Sequence, residues 1–220
     1  YYLDHSEIIQ MEEGGRDVTQ KDQFYQQIQL VVEPLKDWLI HAEGNMKIVN
    51  NQNQWEVLPV YYHDGEGSPV AMAWFDGYTP GMSRVNQSYW KDNNYSLNLY
   101  TDYFKQIGDH YFKVMGGFNA ELYKRTNLSG QRDELITPDV PTLNTGTTEQ
   151  KANGGYSHWA NAGFFGRINY NYKERYLLEI NGRYDGSSRF IGDKRWGFFP
   201  SFSAGWNVSR EPFWRDLELS

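Results

Sequence analysis

Cysteine is absent from the 220 residues, which removes disulfide frameworks, thiolate zinc cages and thiol nucleophiles. Long apolar runs are missing too. No stretch approaches the ~20 apolar residues of a membrane-crossing helix, which excludes helical spans and leaves strands, whose signal per segment is far weaker. No basic stripe is present: 21 Lys+Arg stand against 28 Asp+Glu, a net charge of −7 spread along the chain, so no nucleic-acid partner is expected. No leader pattern opens the chain at Tyr1, so a mature or partial chain is expected.

Aliphatic residues are scarce, and rings do the apolar work. The chain holds 17 Tyr, 12 Phe and 8 Trp at a mean hydropathy of −0.75. Disordered chains lack aromatics, so an ordered fold is expected. The composition suits a sheet with one apolar and one polar face, a transmembrane barrel included.

Position parity supports this. From Ala160 the even positions read Ala160, Ala162, Phe164, Gly166, Ile168, Tyr170, Tyr172, and the odd ones Asn161, Gly163, Phe165, Arg167, Asn169, Asn171. Successive strand side chains point to opposite faces, so a period of two marks a strand that is apolar on one side and wet on the other. The split returns at 176–184 and 196–208. Earlier it covers Phe24 to Val32, then Trp38, Ile40, Ala42, Gly44, Met46 and Ile48 against His41, Glu43, Asn45 and Lys47. It recurs at 89–103 and at 112–122. Seven such segments are legible.

The connections alternate in length: short at 33–35, long at 49–87, short at 105–109, long at 124–158, short at 173–175, medium at 185–194, short at 209–212. In an up-and-down sheet every second connection lies on the same side. All short turns then share one rim and the longer loops the other, the asymmetry of outer-membrane barrels. Pro34 is expected to break a strand, and Pro200 to mark a bulge on an apolar face. Residues 1–23 read as a loop with a partial strand, 24–214 as barrel wall, and 215–220 as the start of a next segment.

Trp38, Tyr103, Phe112, Tyr170, Tyr172, Tyr176 and Trp206 have apolar-face parity near the short turns. They are expected to form an aromatic girdle at the membrane interface. The loop aromatics Trp55, Tyr61, Tyr62, Trp74, Phe75 and Tyr78 are candidates for stacking on sugar rings or peptide side chains, against mutual packing of the loops. Glu43, Lys47, Lys113, Glu121, Arg167, Glu179 and Arg183 take the wet parity and read as lining a hydrated interior. Residues 184–190 read as a surface hairpin with Asp185-Gly186 at its turn. His63-Asp64-Gly65-Glu66 fails the calcium-loop spacing. The five histidines lack metal-ligand spacing, and no carboxylate pair has a pocket to split its pKa values. No catalytic residue, metal or cofactor is expected.

The runs Y-D-G-S-S-R-F (184–190), R-W-G-F-F-P-S-F-S-A-G-W (195–206), E-P-F-W (211–214), F-G-R-I-N-Y-N-Y-K-E-R-Y-L-L (165–178) and G-D-H-Y-F-K-V-M-G-G-F-N-A-E (108–121) resemble the barrel of SusC/RagA-type TonB-linked outer-membrane proteins, over about 85–214. The resemblance implies an all-β, antiparallel up-and-down transmembrane barrel segment, seven strands of a roughly 22-stranded barrel. It implies import of oligosaccharides or peptides across the outer membrane. The expected partners are the rest of the barrel and its plug domain, a SusD-like surface lipoprotein, the TonB complex and the lipid bilayer. No plug or TonB box is legible, so an internal segment of a longer protein is expected. The competing reading is a soluble carbohydrate-binding β-sandwich.

Overall fold

The computed structural model describes residues 7–72, 79–148 and 150–214. A short helix α1 (Glu7–Glu13) precedes nine strands: β1 (Asp17–Leu35), β2 (Trp38–Val57), β3 (Tyr61–His63), β4 (Pro69–Ala71), β5 (Arg84–Ile107), β6 (His110–Asp133), β7 (Lys151–Tyr172), β8 (Tyr176–Ser187) and β9 (Trp196–Trp206). Seven form one sheet in the order β1-β2-β5-β6-β7-β8-β9, and β3 and β4 pair separately. The chain order is kept across the large sheet, with only the small hairpin interposed, as in an up-and-down wall. Among the described residues the other sheet has two strands only, so the β-sandwich reading is set aside.

Two compact units are distinguished: residues 1–23, 48–92 and 125–157, and residues 24–47, 93–124 and 158–220. In the first, Gly14 accepts from Leu58 N at 3.0 Å and Arg16 from Glu56 N at 2.9 Å. Gly15 lies between them at φ 108°, and a Cβ there would run into the Glu56 carbonyl, so glycine is required. Val49, Val60, Met72 and Val85 are the buried apolar residues among those described, and all belong to this unit.

The second unit has a different logic. Its outward positions are apolar yet exposed: Leu97 41%, Leu99 42%, Ile168 47%, Ile180 47% and Phe202 84%. Leu97 and Leu99 alternate with the less exposed Ser96, Asn98 and Tyr100. The accessible surface of the chain is 15644 Å², against roughly 10,500 Å² for a globular monomer of this mass. Apolar side chains exposed along one face of the strands suit an apolar surrounding.

Both β8 edges keep strict register, Gly166↔Gly182↔Pro200 and Ile168↔Ile180↔Phe202 included. Pro200 therefore sits in no bulge. It lies on β9, opposite Gly182 of β8. Pro34 falls within β1 rather than at a turn, and the turn follows at 36–37 with Asp37 at φ 68°. Asp185 and Gly186 are not a turn; they pair with Gly163 and Ala162.

The strands also outrun the alternation. β1 begins at Asp17, β2 continues to Val57 and β6 to Asp133, while β7 starts at Lys151. The long connections shrink to 58–83, around the β3–β4 hairpin, and to 134–150.

The short turns share one rim. Asp37 O accepts from Phe104 N at 3.0 Å, Asp109 O from Lys173 N at 2.9 Å and Arg175 O from Asn207 N at 2.7 Å. Each turn is tied to a neighbouring strand end or turn, as the connection lengths anticipate.

Candidate functional site

Outward side chains of the second unit form a band with two aromatic borders. Along β5 the outward positions between Tyr103 and Tyr95 are Thr101, Leu99 and Leu97; along β8, between Tyr176 and Tyr184, they are Leu178, Ile180 and Gly182. Each stretch is nine residues, within the ~9–11 that a tilted strand needs to cross a bilayer.

On the turn side, Phe112 packs on Tyr170 with ring centroids 5.0 Å apart, and Tyr172 on Tyr176 at 6.3 Å. His110 Nδ1 lies 2.8 Å from the Tyr170 hydroxyl. Trp38 Nε1 donates to Thr101 Oγ1 at 2.6 Å and Trp206 Nε1 to Glu211 Oε1 at 3.1 Å. Tyr103 is exposed beside them in the row. Trp38, Tyr170 and Trp206 present an apolar body with a satisfied polar tip, the form suited to a membrane interface. The opposite border, Tyr95, Tyr184 and Trp196, was not anticipated. Tyr184 and Trp196 stack at 5.1 Å and 16°, and the signal was their apolar parity at the loop end of each strand.

The inward face carries a ladder of polar bonds. Glu43 accepts from Gln29 Nε2 and the Tyr100 hydroxyl, both at 3.3 Å. Asn94 Nδ2 donates to Glu121 at 3.1 Å, and Arg167 Nε to Asn181 Oδ1 at 2.7 Å. Glu179 accepts from Asn169 at 2.6 Å and Asn181 at 2.8 Å, and Arg183 pairs with Asp185 at 2.9 Å. Asp102 is buried between Lys113 at 3.3 Å and His41 at 3.4 Å. Of the expected inward charges, Glu43, Lys113, Glu121, Arg167, Glu179 and Arg183 take part. Lys47 shares their parity.

In the first unit a cleft of about 950 Å³ opens beside β2 and β5, and its lining is rich in amides: Gln20, Gln52, Asn53, Gln54, Gln87 and Gln150. Tyr89 supplies a ring, and Glu56, Asp139 and Arg16 supply charge. Gln87 Nε2 donates to Gln54 Oε1 at 2.7 Å, and Gln54 Nε2 to the Pro141 carbonyl at 3.1 Å, fixing both amides. Arg84 grips Asp133 through two bonds of 2.7 and 2.8 Å. That contact holds the Asp133 carboxyl below its usual range. Such a lining hydrogen-bonds hydroxyls and peptide groups alike.

Of the expected loop aromatics, Trp55, Tyr61 and Tyr62 do not line this cleft. Trp55 has the parity opposite to Gln54 and Glu56. Tyr61 is exposed and Tyr62 partly so, both on β3. Trp74, Phe75 and Tyr78 lie outside the described residues. The cleft's own signal was the run Asn50 to Gln54, which reads as loop because both faces are polar. At 64–68 the Asp64 carboxylate accepts from Glu66 N at 2.9 Å and Ser68 N at 2.8 Å, closing a turn. Among the described residues no cluster of His, Cys, Asp or Glu could hold a metal, and no helix is long and apolar enough to cross a membrane.

No protein-family model matches the chain. It is 36% identical over 129 residues to the TonB-dependent receptor SusC of Bacteroides thetaiotaomicron, a stretch covering 57% of this chain and 12% of that relative. It is 30% identical over 197 residues to the TonB-dependent receptor P26 of Formosa agariphila, covering 84% of this chain and 18% of the relative. Among solved structures it resembles the RagAB peptide importer in the open-open state, with TM-score 0.81 and 16% identity over 92% of this chain and 21% of the other. The RagAB peptide transporter gives TM-score 0.80 over 91% and 21%. At that identity the structural likeness is one of fold. The chain spans at most about a fifth of the length of these proteins.

Proposed function

From a chain that belongs to the SusC/RagA family of TonB-linked outer-membrane proteins, we propose that it forms part of the wall and the outer loops of a nutrient importer. The observation that carries this is the exposed apolar band of the second unit, nine residues deep and bordered by rings, backed by a face of bonded amides and charges. Lipid meets one side and a hydrated interior the other, so the strands partition oil from water. The turn-side rings Trp38, Tyr103, Phe112, Tyr170, Tyr172, Tyr176 and Trp206 anchor the wall at one interface.

The whole receptor takes up oligosaccharides or peptides, and the amide cleft supplies hydrogen bonds to either. Tyr61 and Tyr62 add exposed ring surface at the β3–β4 hairpin. Its partners are the rest of the barrel with its plug, a SusD-like surface lipoprotein and the TonB complex. The wall does binding and passage; the relatives are named as receptors, and none of the described constellations suggests bond-making.

The test is uptake by cells carrying the full-length receptor, with labelled oligosaccharide and peptide mixtures, in the presence and absence of a working TonB complex. Uptake of one class that stops without TonB is expected. Uptake indifferent to TonB would overturn the proposal.

A further inference from the structure

The outward band of the second unit is not evenly filled. Ala120, Ala160, Ala162 and Gly186 place almost no side chain on it, while Leu97 and Leu122 stand on one side and Trp196 on the other. A Cβ on Gly186 would come within 2.6 Å of the Trp196 ring, so the indole lies directly against that backbone. Its other contact, the stack on Tyr184, holds it there. The result is an apolar depression of about 460 Å³.

One end of this depression is polar. Ser188 and Arg195 line it; Ser188 Oγ accepts from Ala160 N at 2.8 Å, and Arg195 Nε donates to the Phe190 carbonyl at 3.4 Å. That bond leaves the guanidinium at the surface, beside the tryptophan. Glu121 also borders the depression, but its strand parity is inward and its carboxylate accepts from Asn94 on that side.

We propose that this depression seats one acyl chain of an anionic phospholipid, with the phosphate at Arg195. The inference rests on the membrane reading of the band. Three features commit it to a lipid. The hollow is continuous with the band; its outward floor is Ala120, Ala160, Ala162 and Gly186, while Ser96, Asn161 and Ser187, which also border it, have inward parity; and its cation stands at the ringed border, the depth of headgroups. A guanidinium forms charge-assisted bonds to phosphate oxygens, which a neutral headgroup does not offer.

The test uses the full-length receptor, purified in detergent and loaded with phosphatidylglycerol or with an uncharged glycosyl diacylglycerol, and counts retained lipid by native mass spectrometry. Wild type should retain phosphatidylglycerol preferentially. Arg195→Gln should lower that retention about tenfold, as loss of a charged hydrogen bond implies, and leave the uncharged lipid unaffected; Arg195→Lys should restore part of it. Ala162→Phe fills the hollow from the lipid side and should lower both. Equal retention by wild type and Ala162→Phe, or an Arg195→Gln effect blind to headgroup, would overturn the site while the receptor stays membrane-bound. A receptor that is soluble without detergent would instead bring down the membrane reading, and this site with it.

Discussion

Ile180→Arg separates a bilayer environment from an aqueous one more sharply than any other single change. Ile180 lies midway between Tyr176 and Tyr184 on β8 and pairs with Ile168 on one side and Phe202 on the other. Nearly half of its surface, 47%, is exposed. In water, replacing so exposed a side chain would change stability by only ~0.5 kcal/mol. In a bilayer the same arginine sits at mid-depth and costs ~2–4 kcal/mol, which shifts the assembled-to-unassembled ratio roughly 30- to 700-fold. The cost should fall to about 0–1 kcal/mol for Tyr176→Arg at the border, giving a depth series on one strand. The assay is the fraction of full-length receptor reaching the membrane in heat-modifiable form, followed by urea titration of the recovered protein. Asn181→Ala, one residue along and on the wet face, serves as control. An Ile180→Arg variant that assembles as well as Tyr176→Arg would refute the assignment of faces.

Three further outcomes are expected. Arg84→Ala strands the Asp133 carboxylate that it grips and should cost about 1–3 kcal/mol, seen as faster protease cutting within 58–83 and 134–150. Gly117→Ala would bring a Cβ to 2.5 Å from the Tyr100 Cβ and 2.7 Å from the Phe165 ring, costing ~1–3 kcal/mol, whereas Gly44→Ala meets nothing within 4 Å and should be neutral in the same urea titration. Glu211, 6% exposed, is held below the usual carboxylate range by hydrogen bonds from Tyr176 and Trp206. A depressed folded pKa contributes stability that is full above the unfolded value of about 4.3 and is lost as pH falls through the folded one. Melting of wild type should therefore drop more between pH 5 and pH 3 than that of Glu211→Gln; parallel curves would exclude Glu211 as the acid-sensitive group.

The band and its turns were legible because a bilayer imposes alternation. Where one face touches oil, as at Leu97, Ile168 and Ile180, parity betrays the strand. Beyond the band both faces are wet, and Asn50 to Gln54, Arg125 to Asp133 and Lys151 to His158 continue the ladder with no hydrophobic period to reveal it. Hydrogen bonding between strands needs no apolar face, so these lengths escaped notice. Neither proline interrupts its strand, Pro34 lying within β1 and Pro200 pairing in register with Gly182; sequence alone does not say which way a proline's missing N–H faces. The amide cleft went unrecognised because its members come from distant segments, and glutamines carry no spacing rule.

The backbone bonds along the short-turn rim bear on how such a wall is built. Asp37 takes its partner from Phe104, Asp109 from Lys173, and Arg175 from Asn207. In each of these three bonds the acceptor precedes the donor along the chain. Each short turn is thus fastened by a segment that follows it along the chain, and neighbouring hairpins are clasped at their tips as well as along their strands. A wall of this kind can lengthen by accretion, stitch after stitch, without waiting for its far edge.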